Sequence, residues 1–268
     1  MFCENIEQVL RNPPFLSCRL KIARAQEHAD LVYQELETYL GSNPFELFPT
    51  PRPNPLRHSV VVRINRPPDL DRWSLIAADA IHNWRSALDN LIYGIAIHES
   101  GQDPPPEGAR LEFPIHETPE RFAANTRIRT LTAKTLDILE TLQPYNRPHG
   151  ELYRPLLAIL RSVNDIDKHR ILQLAVPRPP GARIDIIAGA PSGLTYAPYF
   201  NGGPISDGCE VIALVLDRPA PLLQLQISAT FCITIQYGSE QEKVALESLM
   251  VYLAGEIEAV VTKLCESL

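Results

Sequence analysis

The feature that most constrains this chain is the unbroken stretch Asp71–Ser100, DRWSLIAADAIHNWRSALDNLIYGIAIHES. It holds no proline, and its apolar residues recur at helical spacing, which predicts one long helix. Winding it at about 100° per residue separates two faces. Ala80, Ile81, Trp84, Leu88, Leu91, Ile92 and Ile95 form a core face, opposite Asp79, His82, Arg85, Ser86, Asp89, Asn90 and Tyr93. A helix face bathed in water is usually rich in Lys, Glu and Gln, which favour helix at little cost. None of these occurs from Ala77 to His98. The polar residues are short or geometrically specific, so this face is expected to meet another element.

The rest of the chain falls into place around that helix. Residues 16–40 predict a helix stopped by Gly41 and Ser42. Five prolines between 43 and 57 read as a stiff surface connection. His58–Arg66 predicts a strand joining a sheet as an edge. Short helices follow at Thr118–Asn125, with Thr118 as cap, and at Thr130–Leu142, then a long helix at Glu151–Leu174. Strands are expected at Arg183–Ala188, Leu194–Phe200, Glu210–Leu216 and Leu223–Tyr237. Strict alternation in the last marks one buried and one polar face. Asn201-Gly202-Gly203-Pro204 reads as a turn, and Ser239-Glu240-Gln241-Glu242 as a capping box opening a final helix to about Leu264. Helices and strands are grouped rather than alternating, which predicts α+β: a helical bundle with two long central helices beside a small antiparallel sheet, and a C-terminal helix. One domain over 1–268 is expected, with the helical part at about 14–175, the sheet at about 183–237 and the last helix at about 239–265.

Composition excludes several classes. The net charge of −7 argues against a generic polyanion binder. Five dispersed cysteines with no CxxC pair suggest neither zinc knuckle nor disulfide framework, and fit reduced thiols in a cytoplasmic protein. The N-terminus lacks a basic region followed by an apolar one, and no apolar run approaches the ~18 residues of a membrane span. No GxGxxG, P-loop, GxSxG or HExxH occurs, and no cofactor is implied.

A second polar cluster, NDIDKHR at 164–170, lies within the predicted 151–174 helix. The same winding puts Asp167 and Arg170 on its apolar side, three residues apart and able to touch. Asn164 lies at the border, while Arg161, Asp165, Lys168 and His169 point outward. Buried charges need partners, and His82, Arg85 and Asp89 of the central helix are the candidates. The two helices are therefore expected to pack with these groups facing each other. Such a network either fixes helix register or positions His82, Arg85 and Arg170 at a cleft. A metal site is the third possibility, drawing on His82, Asp89 and His169, though His82 and Asp89 are about 10 Å apart along the helix. Five Lys and Arg against three acids between Arg147 and Arg170, with Tyr145 and Tyr153 nearby, would suit an RNA backbone with stacked bases.

The segments IHNWRSALDNLIY, FPI, LQPY and NDIDKHR, in this order, resemble a group of uncharacterised bacterial proteins carrying HNxRSALDH, FPI, QPY and NxxDKHR. The first motif is also similar to the Arg-x4-His signature of HEPN-type helical proteins, many of them dimeric, metal-independent ribonucleases. That resemblance implies an Arg that stabilises phosphate and a His that exchanges the proton. The matching residues here are Arg85 and Asn90. Asn90 cannot exchange a proton, so either His82, about one turn before Arg85, substitutes for it or the chain is a non-catalytic relative.

Three readings follow. In a HEPN-like RNA-binding or RNA-cleaving protein, working as a homodimer, His82, Arg85, Asp89, Asp167 and Arg170 would be catalytic. Asn90, Tyr93, Asn164, Lys168 and His169 would bind RNA. In a non-enzymatic interaction protein the same network would be structural. A metal-dependent hydrolase would use His82, Asp89 and His169.

Overall fold

The computed structural model describes residues 2–147, 152, 154–177, 179, 183–189, 193–198, 203–239 and 242–268. In chain order its elements are α1 (Glu4–Arg11), α2 (Leu16–Gly41), β1 (Phe45–Pro51), β2 (Arg57–Ile64), α3 (Leu70–Ser100), α4 (Pro119–Ala123), α5 (Ala133–Thr141), α6 (Leu156–Asp167), β3 (Leu174–Ala175), β4 (Arg183–Ala188), β5 (Leu194–Pro198), β6 (Glu210–Leu216), β7 (Gln224–Ser228), β8 (Thr234–Gln236), β9 (Lys243–Ala245) and α7 (Leu246–Cys265). The class is α+β, with small antiparallel sheets and two long helices packed together. Those two are α2 and α3. No described helix is long and apolar enough to cross a membrane.

The chain divides into two compact units, each built from separate stretches of sequence. The helical unit takes Met1–Tyr33, Asp71–Gln173 and Gln236–Leu268, and the sheet unit takes Gln34–Leu70 and Leu174–Ile235.

In the helical unit α3 is the hub, and its expected core face is buried throughout, with Trp84 1% exposed and Ala80, Ile81, Leu88, Leu91 and Ile92 at 0%. Lys21 of α2 donates from Nζ to Asn83 Oδ1 at 3.1 Å. Ser74 Oγ donates to the Leu172 carbonyl at 2.9 Å. Glu99, in the last turn of α3, accepts from Thr132 N at 2.8 Å and from the hydroxyls of Thr132 and Thr135 at 2.7 and 2.6 Å. Thr132 is the N-cap of α5, so α3 brings a carboxylate to the positive end of α5. Thr118 caps α4 as expected, accepting from Arg121 N.

In the sheet unit four strands run in the order β1-β2-β6-β5, all neighbours antiparallel. Val60, Val62, Val211, Ile212 and Leu214 form its core, with Phe45, Leu47 and Leu225 packed against it. A separate antiparallel pair joins β4 to β7.

The structure departs from the sequence expectations in five places. The proline-rich segment contains a strand, β1. It lies at the sheet edge, where a proline's missing N–H breaks no ladder bond, so Pro49 sits opposite Val60 without cost. That places β2 inside the sheet rather than at its edge. The 223–237 run is two strands: β7 pairs β4 and the start of β8 pairs β3, whereas one continuous strand of that length would far exceed the usual five or six residues. Among the described residues of the predicted 151–174 helix, only Leu156–Asp167 is helical, as α6; Glu151 and Tyr153 lie outside the described residues. Pro155 stands at the N-cap of α6, and a proline disfavours helix in the residue before it. The final helix opens at Leu246, after β9. Ser239 N donates to the Glu242 carboxylate at 2.7 Å, ahead of β9 and not at the start of the helix. Glu240, Gln241, Asn201 and Gly202 lie outside the described residues. Finally, α1 was not expected from the sequence.

Gly94 sits mid-helix in α3 because the turn at Pro13–Phe15 crosses it. An added Cβ would run into the Pro14 carbonyl oxygen and come within 2.8 Å of the Phe15 ring, which is itself 2% exposed. Gly94→Ala should therefore destabilise the protein by about 1–3 kcal/mol, despite alanine's better helix propensity. Thermal melting checks this, and a raised Tm would refute the close approach.

Candidate functional site

The polar face of α3 meets Phe113-Pro114-Ile115-His116, the extended segment carrying the FPI motif. Phe113 and Ile115 are 1% and 4% exposed. Within a core, a backbone needs a partner for every N–H and C=O. None of the strands runs through this segment, so side chains supply the partners. Arg85 donates from one terminal nitrogen to the Phe113 carbonyl at 2.9 Å. Phe113 N donates to Asp89 Oδ1 at 2.8 Å. The other terminal nitrogen of Arg85 closes the ring by pairing with the same Oδ1 at 2.9 Å.

The remaining groups are held from α5, its following turn, and α6. Gln143, fully buried, donates to the carbonyls of Pro114 at 3.1 Å and Leu139 at 2.8 Å, and accepts from His116 N at 2.9 Å. Arg161 donates to the Ile115 carbonyl at 2.7 Å. The His116 ring meets Asn125 Nδ2 at 3.2 Å. Three of the motif segments thus converge on one stretch of main chain: HNWRSALD holds Phe113, and the Gln of LQPY holds Pro114 and His116.

Electrostatics follow from this burial. Asp89's carboxyl is pushed above the usual carboxylate range by desolvation, opposed by the Arg85 cation and the Phe113 N–H. Lys168, just after α6, pulls Asp89 weakly in the same downward direction as Arg85. His116 is pushed below its usual value, first by burial and then by the Arg161 cation.

Comparison with family models, curated proteins and solved structures found no match to this chain.

The structure brings some of the expected site residues together and separates others. Arg85 and Asp89 are paired. Asn90 and Tyr93 are half-buried farther along the same helix, with Tyr93 packed near Gly108. His82 is exposed and makes no hydrogen bond or ion pair to any described residue. The expected contact between Asp167 and Arg170 is not made. The helix ends at Asp167, where the N–H groups of His169 and Arg170 both turn back to the Ile166 carbonyl at 3.0 Å, and a helical wheel no longer places Arg170. Arg170 is exposed instead, and lines a shallow depression with His169, Asp165 and Arg154. Lys168 pairs with Asp165 at 3.0 Å. Asn164 is 3% exposed, and its Oδ1 has no hydrogen-bond partner. The polar groups of α3 and α6 therefore meet mainly through the FPI backbone between them. Among the described residues, no cluster of three or more His, Cys, Asp or Glu could hold a metal, and His82, Asp89 and His169 are not gathered.

Gln143, Glu99 and His116 hold contacts that residue pattern alone does not single out. Gln143 was signalled by its place in LQPY. Arg161 was read as outward-facing, which is true of its helix position, but its reach of several bonds returns the guanidinium to the Ile115 carbonyl.

Arg85→Ala should cost about 2–3 kcal/mol, since it leaves a buried carbonyl and a carboxylate without their charged donor. Asp89→Asn keeps an acceptor for the Phe113 N–H and removes a charge that burial disfavours, so it should cost less. Chemical denaturation of both variants checks the ranking. A pH effect follows from His116. Its folded pKa is lowered, so the unfolded chain takes up the proton first, and stability should fall as pH drops below about 6.5. His116→Gln should flatten that slope in pH-dependent melts; an unchanged slope would remove His116 from the account.

Proposed function

We propose that this chain is a non-enzymatic interaction module in which the polar face of α3 holds the fold instead of carrying out chemistry. The observation that supports this reading is the double use of Phe113. Its carbonyl goes to Arg85, which a HEPN-like mechanism would need at the phosphate, and its N–H to Asp89, which that mechanism would use to orient His82. An arginine that stabilises phosphate charge needs donors aimed at the substrate. Both terminal nitrogens of Arg85 are engaged at 2.9 Å, and its side chain is 16% exposed. A general acid–base histidine is usually oriented by a second group. His82 has no such group beside it, and Asn90 holds the position where the HEPN signature has its histidine.

The test is cleavage of total cellular RNA by the purified chain, with and without EDTA, alongside His82→Ala and Arg85→Lys. The expected result is no cleavage by any of the three, with His82→Ala melting like the parent and Arg85→Lys melting several degrees lower. Cleavage that survives EDTA and disappears in His82→Ala would replace this reading with a metal-free ribonuclease. Cleavage abolished by EDTA would replace it with a metal-dependent hydrolase.

A further inference from the structure

The helical unit carries a groove of about 730 Å³, and none of its lining residues belongs to the set that clamps the FPI segment. Its floor is Trp84 of α3. Ile22, Ala23 and Tyr33 of α2 form one wall, and Met250, Val251 and Ala254 of α7 the other. Val251 and Tyr33 are 63% and 51% exposed, high values for apolar side chains that could have been turned inward. The groove is long. Its α2 side runs from Arg19 to Tyr33, about 21 Å at 1.5 Å per residue. Its α7 side runs from Glu247 to Glu258, about 16 Å on the same measure. Three to four turns of a helix have that length.

Small residues line the α7 lip. A Cβ added at Gly255 would meet nothing within 4 Å, so the backbone of another helix can come close there. The charge around the apolar strip is one-sided. Among the described residues that line the groove, Glu7, Asp30, Glu247 and Glu258 are acidic and Arg19 is basic, with Glu7 also 3.9 Å from Arg11. Glu247 is half-buried, and burial raises its carboxyl pKa, which a neighbouring cation would reverse. The Nε of Arg19 is buried with no hydrogen-bond acceptor. The last carbonyls of a docked helix are acceptors without partners of their own.

We propose that this groove is a docking site for an amphipathic helix of a partner protein, apolar on one face and flanked by Lys or Arg. The proposal rests on the reading of the chain as an interaction module. A second copy of this chain is a poor occupant on charge grounds. The chain carries −7, and a symmetric pairing would bring the same four carboxylates against each other. A basic helix instead meets complementary charge along both lips.

The probe is a synthetic fluorescein-labelled Leu/Lys peptide of about fourteen residues, with leucines at helical spacing. A Leu/Glu peptide of the same pattern and a proline-interrupted Leu/Lys peptide serve as controls. Binding is read by fluorescence anisotropy, and helix induction by circular dichroism. Three proteins are compared: the parent chain, Gly255→Trp, which fills the groove where there is open space, and Glu247→Lys, which reverses one charge of its lip. The Leu/Lys peptide is expected to bind the parent and gain helicity. Its affinity should drop at least about tenfold in both variants, while their melting temperatures stay near the parent's. Neither control should bind. Equal affinity for all three proteins, equal affinity for the proline-interrupted peptide, or no binding to the parent overturns the proposal. So does a concentration-dependent dimer of the parent that Gly255→Trp abolishes, which would assign the groove to a second copy. None of these outcomes bears on the RNA and EDTA test, which alone decides whether α3 is catalytic.

Discussion

Arg85 and Asp89 sit one turn apart on α3 and grip the two main-chain polar groups of Phe113. The helical unit depends on this grip because it solves a problem that apolar packing cannot. An extended segment is buried where no sheet is available to pair with it, and its N–H and C=O groups would each cost about 1–3 kcal/mol if left without partners. A charged donor and a charged acceptor on neighbouring turns answer both at once. They also hold each other in place, so each is the other's support in a partly dry site. Gln143 repeats the solution for Pro114 and His116 with an uncharged amide, whose oxygen and nitrogen are both used.

Much of this was legible in the sequence, and the reason is periodicity. The 31-residue α3, its buried face and the presence of a contact on its polar face all follow from residue types at helical spacing. The alternation in Gln224–Ser228 likewise separates the half-buried face of β7 from its exposed one. Legibility failed where the deciding partner is remote in sequence. Nothing local says that Arg85 reaches a backbone carbonyl 28 residues on. The wheel drawn for 164–170 assumed that the helix continued, and it stopped at Asp167; Arg170 then pointed to solvent. Prolines misled in both directions. They hid β1, where an edge position tolerates them, and Pro155, which shortens α6, was passed over.

The four motif segments illustrate a wider difficulty in reading function from polar residues. Arg, Asp, Gln and His within apolar helices are the groups an active site would use. They are also the groups that satisfy a buried backbone. Side-chain identity does not separate the two cases; what separates them is whether the donors end on main chain or on open space. Here the charged groups nearest the core end on main chain, and the open space lies elsewhere, between α2 and α7.

The grip on Phe113 touches only main-chain atoms, and its other anchor is the rigid end of α3. The residues between, Gly101 to Leu111, form a loop that packs back on α3 through the buried Pro105 and through Gly108 beside Tyr93, and that is exposed over Gly101–Pro104. Closure entropy grows slowly with length, by about 0.6 kcal/mol per doubling. Insertions at the exposed Gly101–Pro104 stretch should therefore leave the register of Phe113–His116 intact, which makes it a natural place in the helical unit to graft a foreign sequence.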